Sequence, residues 1–163
     1  MKKTLILTIL FLSLFTGVVY CQSFDWNIRG GLNFMNAQPS DEQVFFGYHV
    51  GAQAGVRISY YGIYGEALYS IHQDQDGGSD PIAYFMPGIN VKRYLKKYLF
   101  VELGGLLLVP AGDTDLPDNS LNPENQPVIS AGLGGRFSVV ELSLRISSRS
   151  GYGLFQATAA LNF

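Results

Sequence analysis

Residues 26–34 read WNIRGGLNF, and their large apolar members fall on alternate positions. Trp26, Ile28, Leu32 and Phe34 stand on one parity, against Asn27, Arg29 and Asn33 on the other. A repeat of two is the side-chain period of an extended strand. The alternation returns along the chain. VGAQAGVRI sets Val50, Ala52, Ala54, Val56 and Ile58 against Gly51, Gln53, Gly55 and Arg57. Ile63, Ala67, Tyr69 and Ile71 then oppose Tyr64, Glu66, Ser70 and His72, and Phe85, Pro87, Ile89 and Val91 oppose Tyr84, Asn90 and Lys92. In the second half Leu99, Val101, Leu103, Leu107 and Val109 oppose Glu102, Gly104 and Leu106, while Ile129, Ala131, Leu133 and Phe137 oppose Ser130, Gly132, Gly134 and Arg136. VVELSLRIS is the cleanest segment, with Val140, Leu142, Leu144 and Ile146 against Glu141, Ser143, Arg145 and Ser147. Phe155, Ala157, Ala159, Leu161 and Phe163 complete an eighth.

Eight such segments of about ten residues have the length and pattern of strands that cross a membrane. Their connections alternate as well. The first, third and fifth are long and polar, at 36–48, 73–81 and 111–127. The second, fourth and sixth are tight, around Ser59–Tyr60, Lys96–Lys97 and Ser138, and the seventh, SRSGY, is intermediate. The predicted fold is an all-β, eight-stranded antiparallel up-and-down transmembrane barrel.

Charge sharpens this reading. Arg29, Arg57, Glu66, Lys92, Glu102, Arg136, Glu141 and Arg145 all fall on the parity opposite the apolar one. A cation facing lipid at mid-depth costs about 2–4 kcal/mol, so these eight are expected to point into the lumen. A lumen that narrow favours a plug of Arg/Lys–Glu pairs over an open polar path. Gly51, Gly55, Gly104, Gly132 and Gly134 on the same parity are expected to leave room for the long Arg and Glu chains. The last strand is expected to pair with the first, abolishing the sheet edge. Its Phe155, Leu161 and Phe163 form the pattern expected to be read by the barrel-assembly machinery.

The opening residues MKKTLILTILFLSLFTGVVYCQ fit a secretory signal: two lysines, then an apolar run from Leu5 to Val19. Cleavage is expected after Cys21, giving a signal peptide at 1–21 and a barrel domain at 22–163. Cys21 is the only cysteine. Tyr20 before it is too bulky for a lipoprotein signal, so removal is preferred over lipidation.

The five segments IRGGLNFMN, GYHVGAQAGVRI, YGEALYSIHQ, MPGINVKRYLKKYLFVELGG and SAGLGGRFSVVELSLRIS follow one another in a characteristic order. With them the chain resembles the small outer-membrane β-barrel domain of Bacteroidota (porin-family, PorT-like), across essentially all of residues 22–163. The resemblance implies an integral outer-membrane barrel. It carries over no catalytic residue.

Formal net charge is −2 and no basic stripe exists, which argues against a nucleic-acid partner. The expected partners are outer-membrane lipid, the assembly machinery, and a protein or surface met by the three long loops. Both termini are then expected in the periplasm.

Three chemical readings are weaker. Ser70, His72, Asp74 and Asp76 superficially offer nucleophile, base and orienter, but no nucleophile elbow surrounds them. His72 and His49 are read instead as interfacial, and no enzyme activity is expected. Asp74, Asp76 and Asp80, with Asp113, Asp115 and Asp118, lack the spacing of a calcium loop, so neither metal nor cofactor is expected. A narrow solute pore is the functional alternative. A soluble lipocalin-like barrel is the competing fold, because parity alone does not say which face points inward.

Overall fold

The computed structural model describes residues 22–37, 44–74, 81–95, 98–111, 126–149 and 152–163. The expected signal at 1–21 and most of the three long loops lie outside these residues. Eight strands form one antiparallel meander: β1 (Gln22–Ala37), β2 (Val44–Ile58), β3 (Tyr61–Asp74), β4 (Ile82–Tyr94), β5 (Leu99–Pro110), β6 (Gln126–Phe137), β7 (Val140–Arg149) and β8 (Tyr152–Asn162). Each pairs with the next, and β8 pairs with β1, so the sheet closes.

The registers fix the stagger. Stepping straight across the ladder from Trp26 leads through Ala54, Gly65, Ile89, Gly105, Ile129, Ser148 and Gly153, and returns to β1 at Asn36, ten residues further along. Strands in such a barrel tilt by about 35–45°. That tilt explains why β1, β2 and β3 run to 16, 15 and 14 residues, longer than the alternation alone indicates. Residues 36–37, 44–48, 73–74 and 126–127, expected in loops, belong to strands.

The apolar parity faces out. Ile129, Leu103, Ile89 and Leu133 are each at least 60% exposed, while Arg29, Glu66, Lys92, Glu102, Glu141 and Arg145 are buried. The soluble barrel with inverted faces is thereby excluded. Outward aromatics gather near the two ends of the strands. Trp26 stacks on Phe163 at 4.5 Å and Tyr98 on Phe137 at 5.9 Å at the short-turn end, while Phe34 meets Phe46 and Phe155 at the other. Aromatic girdles flanking an aliphatic band about 25 Å tall are the exterior of a membrane barrel. The backbone N–H of Phe163 also donates to the Trp26 carbonyl at 2.9 Å, extending the closing seam beyond β8.

The ladder is interrupted once between β4 and β5. Phe85 pairs with Val109 and Gly88 with Leu106, but Met86 and Pro87 pair with nothing on β5. Proline has no N–H to give, which is why it breaks the ladder there.

Two hairpins turn in two residues, each with positive φ at the first, 55° at Ser59 and 58° at Ser138. One positive φ in that place is the pattern of a type II′ turn, which suits twisted strands and favours glycine. Ser138→Gly is therefore expected to raise the unfolding free energy by up to about 1 kcal/mol. A lowered urea midpoint for the refolded variant would contradict it.

Candidate functional site

The lumen is stratified, and each layer follows from which strand positions the stagger brings level. Next to the short turns, Asp25 Oδ2 accepts from Arg136 Nη1 at 3.1 Å and from the Tyr64 hydroxyl at 3.3 Å. The Tyr64 and Tyr94 hydroxyls lie 2.9 Å apart. The Arg57 guanidinium sits 3.9 Å from the centre of the Tyr94 ring and donates to the Ser59 carbonyl.

Above this rim runs a continuous chain of charge. Lys92 Nζ donates to Glu141 Oε1, which also accepts from Arg29 Nη2 at 3.2 Å. Arg29 Nη1 donates to Glu66 Oε2 at 2.9 Å, and Glu66 accepts two further bonds from Arg145. Arg145 Nε reaches Glu102 Oε1 at 3.1 Å. Three cations thus alternate with three carboxylates, and the formal charges cancel.

Neutral groups complete the shell. Arg29 also donates to Asn27 at 3.1 Å and to Gln53 at 2.7 Å, so every guanidinium nitrogen is used. Lys92 lies 4.6 Å from the Phe100 ring centre and 5.0 Å from that of Tyr64, a cation held against two aromatic faces.

Of the eight sequence-derived charges, six form this one chain. Arg136 pairs instead with Asp25, and Arg57 lies over Tyr94. Asp25 was overlooked by the sequence reading, although it shares the parity of Arg29 and stands between Phe24 and Trp26. The five glycines are also filled differently from expectation. A Cβ at Gly51 would strike Leu68, at Gly55 Tyr64, at Gly104 Asn90 and at Gly134 Phe100; only Gly132 gives way to one of the charged chains, Glu102.

Next comes a polar belt. His49 bonds Asn33 at 2.7 Å and Thr158 at 3.0 Å, Gln156 donates to Asn33 at 3.3 Å, and Asn33 donates to Ser70. Ser70 Oγ lies 2.7 Å from His72 Nε2. Both histidines are buried in the lumen, not interfacial as their nearness to loops suggested. Parity, shared with Glu66, was the signal that outweighed position. The serine–histidine contact is present, but among the described residues nothing bonds His72 Nδ1 to orient it, and Ser70 Oγ is fully buried. Asp76 and the side chain of Asp74 lie outside the described residues. Among the described residues, Glu102 Oε2, Ser147 Oγ and Gln156 Oε1 are likewise buried without a hydrogen-bond partner, positions suited to lumen water.

The loop-facing end is closed by an apolar cluster that the sequence reading did not anticipate. Met35, Phe45, Leu68, Ile82, Tyr84, Met86, Leu106, Leu108, Val128 and Leu154 pack together there. Among the described residues no cluster of three or more His, Cys, Asp or Glu side chains could hold a metal.

The chain matches no protein-family model and no curated protein. Solved structures do resemble it. A designed transmembrane β-barrel superposes with a TM-score of 0.58 at 14% identity, over 85% of this chain and 95% of that one. Neisserial surface protein A gives 0.54 at 13% identity, over 86% and 97%. Ail, the attachment invasion locus protein of Yersinia pestis, gives 0.55 at 9% identity, over 86% and 99%, in a complex with the heparin analogue sucrose octasulfate. At these identities the likeness speaks for architecture: the chain has the closed eight-stranded antiparallel fold of small outer-membrane β-barrels.

Proposed function

We propose that this protein is an integral outer-membrane barrel with a closed lumen, acting through its loop-bearing surface as a structural or interaction protein. The observation that carries this reading is the pairing of a neutralised, buried ionic chain with an apolar seal above it. A solute would have to part both. An apolar layer excludes ions as effectively as the salt bridges block the path, so the narrow-pore alternative is the weaker one.

The loops at 36–48, 73–81 and 111–127 contain no Lys or Arg, yet they hold Asp41, Glu42, Asp74, Asp76, Asp80, Asp113, Asp115, Asp118 and Glu124. A partner met there is accordingly basic, or is reached through divalent cations. The polyanion bound by Ail has the opposite chemistry and is not carried over. The buried Ser70–His72 pair has a structural role in this reading, without catalysis. The closing strand, with Phe155, Leu161 and Phe163, serves as the assembly signal. The short turns and both termini of the chain then face the periplasm, after removal of a signal peptide. Kinship with the PorT-like barrels of Bacteroidota belongs to the same proposal.

Planar-bilayer recording tests the closed lumen. The refolded protein is expected to give no discrete conductance steps in molar salt, although unheated gels show a compact, heat-sensitive form. Regular steps from the folded form would replace this reading with the pore.

A further inference from the structure

The outward face carries one exception to its apolar character. Among the residues whose side chains the structure describes, Arg93 is the only charged group on that face. It stands on β4 opposite Tyr61, with its guanidinium 5.9 Å from the centre of the Tyr61 ring. Tyr60, next along the hairpin, is 64% exposed. Arg93 follows the inward Lys92 directly, and two adjacent cations on a strand must point to opposite faces.

On the same outward face lies an apolar groove of about 1080 Å³, to which Ala52, Ala54, Gly65, Ala67, Ile89 and Gly105 contribute. It lies beside the ladder interruption at Pro87, which also lines it. Ile89 and Arg93 share one face of β4, about 13 Å apart at the rise of an extended strand. The cation is on the side of the short turns, where an aromatic girdle marks the headgroup level.

We propose that Arg93, Tyr61 and this groove form a binding site for a single phospholipid of the turn-side leaflet. Its phosphate is held by the Arg93 guanidinium, and one acyl chain lies in the groove. Charge complementarity selects the anionic headgroup. The distance from Arg93 to Ile89 lets a chain that starts at the headgroup level enter the groove as it runs towards mid-membrane. Arg is suited to this work because its apolar stem stays in the hydrocarbon while its head meets phosphate. The proposal rests on the membrane reading above.

Native mass spectrometry of the folded barrel in detergent, titrated with palmitoyl-oleoyl phosphatidylglycerol, tests it. Wild type is expected to retain one lipid. Arg93→Gln is expected to weaken retention about fivefold, the worth of one cation near an anionic surface. Ala67→Phe, which fills the groove and leaves the cation untouched, is expected to weaken it comparably. Glycerol phosphate is expected not to displace the lipid. Equal retention by all three proteins overturns the site, as does displacement by glycerol phosphate alone, which would mean an anion site without a chain-binding groove. Failure of the membrane reading has its own signature. The chain would be soluble without detergent and would migrate identically on heated and unheated gels, and the lipid site would fall with it.

Discussion

Glu66→Ala is expected to lower the unfolding free energy of the barrel by about 3–5 kcal/mol, the largest loss of any single lumen substitution. Glu66 is the centre of the ionic chain, accepting from Arg29 at 2.9 Å and from Arg145 twice. Its removal leaves two buried guanidinium groups facing each other with one carboxylate each, Glu141 and Glu102. Both cations are buried, so bulk water does not take up the lost bonds. Glu141→Ala should behave similarly, stranding Lys92 outright. Asp25→Ala offers the contrast, because the side chains of Asp25 and Arg136 retain 12% and 21% exposure at the rim. Water replaces that partner, so the cost should be about 1 kcal/mol or less. The measurement is urea unfolding in lipid vesicles, followed by the single tryptophan, Trp26, which stacks on Phe163 across the closing seam. An unchanged midpoint for Glu66→Ala would mean that the ionic chain does not hold the lumen together.

The second large effect concerns the exterior. Leu144→Arg is expected to cost about 2–4 kcal/mol in a bilayer, whereas Phe24→Arg at the short-turn end should cost about 0–1 kcal/mol. Both residues face outward, with Leu144 46% and Phe24 66% exposed, so neither change disturbs the packed lumen. Only depth in hydrocarbon separates them. At the strand end, the arginine head reaches the interface; at mid-strand it does not. Vesicle unfolding of the two variants checks the difference. Equal costs would mean that the exterior does not meet a depth-graded membrane, and the position of the aliphatic band would have to be redrawn.

Much of this architecture was legible in the chain. Alternation marked each of the eight strands, and the long and short connections fixed which ends lie together. The parity of Arg29, Glu66, Glu141 and Arg145 placed them on one face, because a strand has only two. Where the reading went astray, it relied on proximity instead of parity. His49 and His72 were assigned to the interface because loops are near, yet their positions alternate in step with Gln53 and Glu66.

What the sequence determined by itself was thus the elements, their order and the two faces of the sheet. Three things were left to the tertiary structure. Which face turns inward is a property of closure, since a period of two is the same pattern read from either side. Which charges meet depends on the ten-residue stagger, which brings Arg29 of β1 level with Glu66 of β3 and Arg145 of β7 while leaving Arg57 at the rim. The apolar seal depends on the same stagger. Met35, Met86, Leu106 and Leu154 each look like a lapse in alternation on their own strands. Only the tilt of the closed sheet carries them to a common height, where their burial becomes one layer.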